Sequence, residues 1–431
     1  MLIQFRVENH RSLRDEQTLS LVAAKLGSDK NHLLRPEGLN EALLPAVALY
    51  GANASGKTNV LLALAFMRDA VISSHRLWEP ESGVPQESFA LSDQQHAPSF
   101  YEADILAGGV RYQYGFSLDA EQIEEEWLYA WPHTRRQMWF RRDRDRFDFG
   151  RGLHGENDTI RGLTRPNSLF LSAAAQNNHP SLLPIYSWFQ RLQFELRQWK
   201  TRSFRGNPFS RYVYRMLDGA MARQLALFAD YDETLQDDRQ AIVRLLQSAD
   251  TGIVDLHVER EVGEERGGGS SGRTNVLFRH KTDDPERAWL PLEVESAGTV
   301  ALLELATRLI PVLRSGGVLC LDEIEASLHP MLAYALVHQF CDRAQNPMGA
   351  QLIFTTHDTN LLGTTLGFSP LRRDQVWLTE KDDEGATHLY PLTDFHPRKQ
   401  ENLERGYLQG RYGAVPFLGG LVEYPTTTER P

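Results

Sequence analysis

"LYGANASGKTNV", residues 49–60, holds Gly51, Gly56, Lys57 and Thr58 in the pattern G-x-x-x-x-G-K-[ST]. Glycines let the backbone curl until several N–H groups point at one place, and a helix starting there adds the positive end of its dipole; together they cradle phosphate. In such a loop the Lys57 ammonium reaches the β- and γ-phosphates and the Thr58 hydroxyl binds Mg²⁺. The flanks agree with this reading. "LPAVALYG" is an apolar run ending in glycine, and "KTNVLLALAFMRDAVISS" has a helical pattern, so strand, loop and helix follow in the order the motif requires.

Outward from the loop, apolar strands and amphipathic helices alternate. "LIQFRVENH" alternates like a strand, and "FYEADILAGG" with "VRYQYGFSLD" reads as a hairpin turning at Gly108 and Gly109. From about 180 to 250 the pattern is helical, in "SLLPIYSWFQRLQFELRQW" and "ETLQDDRQAIVRLLQSA". The polar, glycine-rich "VGEERGGGSSGRTN" (262–275) reads as a mobile hairpin tip or linker. Beyond it come strand-like "NVLFRHK" and "AWLPLEV", a helix starting near Ser296, the buried strand "GGVLCLDE", the helix "MLAYALVHQFCDRA" and the buried strand "AQLIFTTH". Such alternation implies an α/β fold with a largely parallel core sheet. No heptad pattern persists long enough for a coiled coil.

The 431 residues carry a formal net charge of −11, which argues against a chain that coats nucleic acid indiscriminately. Two stretches interleave Arg or Lys with aromatics as nucleic-acid surfaces do, 135–147 and 191–215. In the first, Asp143 and Asp145 dilute the charge and favour a solvated face with Arg stems over rings. Only Cys320 and Cys341 are present, so no disulfide framework or Cys-rich zinc site exists, and Cys320 reads as a small core residue. No signal peptide or membrane span is visible, and a cytoplasmic location without membrane contact is expected.

Four further elements carry chemistry. "GVLCLDE" (317–323) ends an apolar strand in Asp322, placed to hold Mg²⁺, and Glu323, placed to polarise an attacking water. "EVESAGTVALLELATRL" sets Ser296, Ala297, Gly298 and Thr299 at a helix start, an anion site through free N–H groups. "SLHP" (327–330) follows the acidic pair, and "IFTTHD" delivers His357 at a strand's C-terminal end, where an imidazole can meet a γ-phosphate.

The order "GANASGKT", "ESAGT", "CLDE", "SLHP", "TTH" resembles that of ABC-type ATPases, in the branch of chromosome-maintenance (SMC), break-repair, RecF and OLD ATPase heads. With "SLFLSAAAQ" (168–176), "DEIEASLHP", "TTHDTNLL" and the tail "RKQENLERGYLQGRYGAVPFL" (398–418), the whole chain is most similar to AAA15-domain ATPases, relatives of the RloA and AbiLi proteins.

That resemblance implies an ABC-type P-loop head with an antiparallel β subdomain and a helical insertion. It divides the chain into a first half of the head (1–175), a helical lid with the glycine-rich hairpin (176–285), and a second half of the head (286–431). It assigns Gly51, Asn53, Ser55, Gly56, Lys57, Thr58 and Asn59 to ATP, Thr58 and Asp322 to Mg²⁺, Glu323 and His357 to catalysis, and Arg11 and Ser12 of "ENHRSL" to the nucleotide's vicinity. Ser296 and Gly298 match the signature loop, which acts on ATP held by the other subunit of a homodimer, with higher oligomers built from dimers. Two departures stand out: Ala54 replaces a glycine common in break-repair loops, and Glu295 leads a divergent signature. The Q-loop glutamine is open among Gln86, Gln113 and Gln122. The implied function is an ATP-hydrolysing switch controlling a separate effector nuclease or toxin in prokaryotic anti-phage defence. The alternative is a RecF-like or SMC-like DNA-binding ATPase, with residues 191–215 as the nucleic-acid surface. A transporter motor fits poorly, because the early "ENHRSL" strand and the tail have no place in it.

Overall fold

The computed structural model describes residues 1–26, 32–92, 96–133, 135–196, 230–249, 252–261, 273–284, 288–326, 328–365, 369–398 and 401–416. Its core is a six-stranded sheet around β3 (Ala46–Gly51), whose six residues are all buried. Across the sheet the order is β16 (Thr387–Pro391), β15 (Val376–Lys381), β3, β14 (Gln351–Thr355), β13 (Val318–Leu321) and β9 (Gln193–Glu195). All neighbours are parallel except the β15–β16 pair.

The two-residue period of a strand explains why these runs are apolar throughout. Val47, Leu49, Val318, Cys320 and Ile353 face one core, while Ala46, Ala48, Tyr50, Leu319, Leu321, Leu352 and Phe354 face another. Cys320 is a buried, free cysteine in the first of these cores. Helix α1 (Lys57–Leu77) fills the first core together with α3 (Phe170–Gln176) and α4 (Leu183–Gln190). The second is closed by α6 (Ala297–Ser315), α7 (Pro330–Cys341) and α8 (Leu403–Leu408).

A seven-stranded antiparallel sheet stands over the first core, in the order β2 (Gln17–Ser20), β1 (Leu2–Glu8), β4 (Ser99–Ala107), β5 (Val110–Leu118), β6 (Ile123–Trp131), β7 (Gln137–Asp143), β8 (Arg146–Phe149). Gly108 and Gly109, at φ 58° and 76°, make the expected β4–β5 turn. This sheet is tied to α1 through buried polar groups. Arg142, fully buried, donates to the carbonyls of Arg144, Arg165, Pro166 and Ser168 and lies 3.8 Å from the buried Glu126. Glu126 accepts the first N–H groups of α3, from Phe170 and Leu171, and the Tyr114 hydroxyl. Arg165, after the short α2 (Asn157–Leu163), donates to the carbonyls of Ser74, His75 and Trp78 at the C-terminal end of α1, satisfying groups a helix end leaves open. The stretch "SLFLSAAAQ" joins the two: its first residues bond Arg142 and Glu126 of the antiparallel sheet, and Leu169 N donates to Ser74 Oγ while His75 N donates to Ser172 Oγ, which fastens it to the helix that begins at Lys57.

Helix α5 (Asp230–Ser248) and a three-stranded sheet of β10 (Ile253–Glu261), β11 (Arg273–His280) and β12 (Trp289–Pro291) form a third layer. Its core of Ile242, Leu246, Ile253, Leu256, Val276 and Phe278 closes on Leu302, Leu303 and Ala306 of α6. Helix α6 thus has two buried faces, one on the main sheet and one on this insertion. The longest described helix has 21 residues, and no coiled coil forms among the described residues.

Two expectations change. "RLQFELRQW" is not helical throughout: α4 stops at Gln190, and Gln193–Glu195 pair in parallel with Leu319–Leu321 as the edge of the main sheet. "AWLPLEV" is a strand only through Pro291 before a 3₁₀ turn over Leu292–Val294. The glycine-rich tip lies outside the described residues from 262 to 272, and the basic-aromatic stretch 191–215 lies outside them after 196. The first basic stretch is structural: besides Arg142, Arg136 stacks on Tyr129, Arg141 pairs with Glu125 and Arg144 with Glu124.

Candidate functional site

The phosphate loop spans the gap between the C-terminal end of β3 and α1, beside the ends of β14 and β13. The loop needs glycine at Gly56, where φ is 103° and an added Cβ would sit 2.1 Å from Thr387 Oγ1 and 2.9 Å from Ser12 Oγ. At Gly51 a Cβ would meet Thr379 Oγ1 at 2.4 Å. Ala54 adopts φ 62°, the left-handed region where glycine costs nothing and alanine costs about 1–2 kcal/mol; this is the physical sense of the glycine seen there in break-repair loops. No side chain caps the start of α1 and no acidic residue stands in its first turn, so its leading N–H groups and dipole face outward for an anion.

Each loop residue has a definite place. Lys57 is buried and donates to the carbonyls of Gly51 at 2.9 Å and Ala52 at 3.0 Å. Burial lowers its pKa to about 8, against the pull of Glu325, Asp322 and Glu323. Thr58 Oγ1 donates to Asp322 Oδ1 at 2.8 Å, and Thr355 Oγ1 donates to the same oxygen at 2.8 Å. Asn53 is exposed at the tip. Ser55 turns its hydroxyl inward to Thr379 Oγ1 at 2.6 Å, while its N–H donates to Ala52 O at 3.2 Å and its carbonyl accepts from Thr387 Oγ1 at 2.9 Å. Asn59 donates to Ser12 Oγ at 2.6 Å, and Ser12 Oγ meets Thr387 Oγ1 at 2.7 Å. Ser12 is therefore packed on the loop, while Arg11 pairs with Glu87.

Topology explains how Asp322 reaches Thr58. Strand β14 lies between β3 and β13, so Thr355 at its end stands between the two and bridges them. The Glu323 N–H also donates to Thr355 Oγ1, at 2.7 Å, and Glu323 takes φ 51°, a strained corner directly after the strand. His357 follows the end of β14 with an exposed side chain. Partial desolvation by its surroundings, then the Lys57 charge, lowers its pKa against Glu325, Glu323 and Asp322, which favours the neutral imidazole. Glu325 binds this turn with both carboxylate oxygens, accepting from Thr356 Oγ1 at 2.7 Å and from His357 N at 2.6 Å.

The oxygens of Thr58, Thr355 and Asp322 converge in the way a hard cation requires. Among the described residues no group of three or more His, Cys, Asp or Glu could hold a metal ion. A cation here would need hydroxyl, phosphate and water oxygens beside one carboxylate, which is the habit of Mg²⁺. Thr58 and Asp322 fit that ion.

Ser296 and Gly298 are not joined to this cluster by any hydrogen bond among the described residues. Ser296 caps α6, accepting from Thr299 N at 3.0 Å, and Ser296, Ala297 and Gly298 are exposed. Glu295 pairs with His280 at 2.6 Å, which ties the loop to the insertion's sheet. The glutamine candidates are engaged elsewhere: Gln86 with Ala97 O and Ser99, Gln113 with Glu102, Gln122 with Glu124. Ser327 of "SLHP" lies outside the described residues. Sequence reasoning gave no role to Thr379, Thr387, Thr355 or Glu325. For Glu325 a signal existed, a third acidic residue in "DEIE"; for Thr387 none did, since it is 375 positions from Ser12. A cavity of about 690 Å³, lined by His32, Tyr334, His338, Arg372 and Glu401 among others, contains none of the loop residues.

A family model described as "AAA domain, putative AbiEii toxin, Type IV TA system" matches residues 46–363. The chain belongs to this family. The matched span runs from β3 and the phosphate loop through the insertion and Asp322 to just past His357, so most of the chain is an AAA, P-loop ATPase-type domain. No curated protein matches the chain. Among solved structures, the chain is similar to an SMC head bound to the C-terminal winged-helix domain of ScpA, at 13% identity over 90% of this chain and 96% of that one, with a TM-score of 0.43. It is also similar to the SMC head domain of Thermotoga maritima, at 12% identity over 90% and 98%, TM-score 0.38. A third is an Smc head with an extended coiled coil bound to the C-terminal domain of ScpA, derived from Pyrococcus furiosus, at 10% identity over 95% and 98%, TM-score 0.41. Among the described residues no helix is long and apolar enough to cross a membrane.

Proposed function

We propose that this protein is a Mg²⁺-dependent ATPase working as a switch: ATP closes a head-to-tail homodimer and hydrolysis opens it. The carrying observation is the hydrogen bond from Thr58 Oγ1 to Asp322 Oδ1, beside the uncapped start of α1 and the buried Lys57. Bound ATP would supply the phosphoanhydride bond. Lys57 and the loop N–H groups would neutralise its phosphates, while Thr58 and Asp322 would hold the metal. Glu323 would take a proton from the attacking water, and the neutral His357 would donate to the γ-phosphate.

The exposed Ser296–Gly298 start of α6, apart from the loop of its own chain, supports action on the ATP of a second copy. Because α6 also buries Leu302, Leu303 and Ala306 in the insertion, closure at Ser296 would be felt by that layer, which is how a switch reports its state. In keeping with the AAA15-like motifs, the output would be a separate nuclease or toxin in a prokaryotic cytoplasmic defence system.

The test is complementation. A Lys57→Ala chain and a Ser296→Arg chain should each be inactive alone, but in a mixed dimer one site keeps an intact Lys57 and an intact Ser296. A 1:1 mixture with free exchange should regain about a quarter of wild-type turnover. For sites that act independently, mixed ATP-dependent dimers without recovered activity would refute the shared site, as would a monomer that hydrolyses ATP at a rate per subunit independent of protein concentration.

A further inference from the structure

We infer that Glu325 is the positioning residue of His357, locking the imidazole-bearing turn to the segment that carries Asp322 and Glu323. The inference rests on the ATPase reading above and adds a residue to it. After β13 ends at Leu321, the left-handed Glu323 bends the chain into a 3₁₀ turn over Ile324–Ala326. The Glu325 side chain then meets the first residues beyond the neighbouring β14. Its two oxygens take separate donors there, the Thr356 hydroxyl and the His357 N–H. The same Thr356 hydroxyl accepts from Asp358 N at 3.0 Å, and Tyr50 of β3 donates to Asp358 O at 2.9 Å. The turn 356–358 is thus clamped from both sides, by Glu325 from β13 and by Tyr50 from β3.

Among the described residues no hydrogen bond is made by the His357 ring itself. Its position is inherited from its backbone, and Glu325 holds that backbone with charge-assisted bonds, which are stronger than neutral ones. The consequence is mechanical. The metal-holding Asp322, the water-facing Glu323 and the phosphate-facing His357 sit on two strands but share one rigid corner, and Glu325 is the strut between them. A misplacement of about 1 Å in such a group costs up to about 100-fold in rate, so the strut matters to turnover more than to nucleotide affinity.

The experiment combines kinetics with hydrogen exchange on the full chain. Glu325→Ala removes both acceptors; kcat should fall about 10- to 100-fold with the KM for ATP changed less than about threefold. Glu325→Gln keeps an oxygen for His357 N–H and an amide that can donate to Thr356, so it should recover most of the loss. Since Glu325 acts through His357, adding Glu325→Ala to His357→Ala should cost less than about twofold more. A multiplicative loss in that double variant would overturn the inference. Independently of any turnover, the His357 amide should exchange faster in Glu325→Ala than in the wild type and stay protected in Glu325→Gln. Unchanged exchange in Glu325→Ala would remove the clamp. Wild-type protein that hydrolyses no ATP would sink the ATPase reading instead, and the exchange result would still decide whether Glu325 holds the turn.

Discussion

Replacing Gly56 by alanine tests how the loop is held by distant parts of the chain. Two costs follow from the geometry. At φ 103° an alanine is strained, and left-handed backbone costs an L-residue about 1–2 kcal/mol. The new Cβ would also lie 2.1 Å from Thr387 Oγ1 and 2.8 Å from its Cγ2, so Thr387 must move. In moving it loses its 2.9 Å bond to Ser55 O and its 2.7 Å contact with Ser12 Oγ, at about 0.5–1.5 kcal/mol each. The sum is about 2–5 kcal/mol, a large part of the 5–15 kcal/mol typical of a domain. Urea unfolding followed by the fluorescence of the 8 tryptophans measures it. Thr387→Ala alone loses the two hydrogen bonds, about 1–3 kcal/mol. The double variant keeps the backbone strain, the lost bonds and the 2.9 Å approach to Ser12 Oγ but has no clash with residue 387, so it should be about as stable as Gly56→Ala alone. The singles should therefore be non-additive by about 1–3 kcal/mol. Strict additivity, or a Gly56→Ala protein within about 0.5 kcal/mol of wild type, would refute the assignment of Thr387 as the wall behind the loop.

Lys57 titrates near pH 8 rather than at its ordinary 10.5 because it is buried. Below about pH 8 the buried charge lowers stability, and the penalty is relieved as pH rises from about 8 towards 10.5, where the unfolded chain binds the extra proton. Triphosphate beside it should restore the charge. Calorimetry at pH 8 in Tris and in HEPES should then show uptake of about half a proton on ATP binding, absent in Lys57→Met, with affinity falling at higher pH; identical heats in both buffers would contradict this. Glu323→Gln keeps the shape of the corner but not the base, so turnover should drop about 10²–10⁴-fold with ATP still bound, and undiminished turnover would take the role from Glu323. Arg142→Met leaves the buried Glu126 without its counter-charge and takes this donor from the carbonyls of Arg144 and Ser168, an expected loss of about 3–5 kcal/mol by urea unfolding; a loss below about 1 kcal/mol would make that network dispensable.

The nucleotide loop was legible because everything it needs is local. Glycine at positions 51 and 56, the lysine and threonine after them, and an apolar strand and amphipathic helix on either side act over a dozen residues, and their conformations depend on neighbours in the chain. The same holds for Asp322 and Glu323 at a strand end, for His357 at another, and for Ser296 as the cap of α6. Which of these meet was not local. Thr58 touches Asp322 across 264 positions and Ser12 touches Thr387 across 375, pairings that depend on the strand order, and strand order is set by which apolar faces bury together rather than by any spacing along the chain. Gln193–Glu195 were read as helix because three residues are too few to express a two-residue period, and only the open edge of β13 made them a strand. Arg142 looked like surface charge in "RRQMWFRRDRDRF" and is fully buried, since the carbonyls that accept its protons come from a loop 23 to 26 positions on. Glu325 likewise passed for one more acidic residue until β14 was seen to lie beside β13 and to offer it the turn at His357. Composition and spacing can specify what each segment is able to bind; only packing, which places hydrogen-bond partners from opposite ends of the chain within 3 Å, decides what each side chain is left free to do.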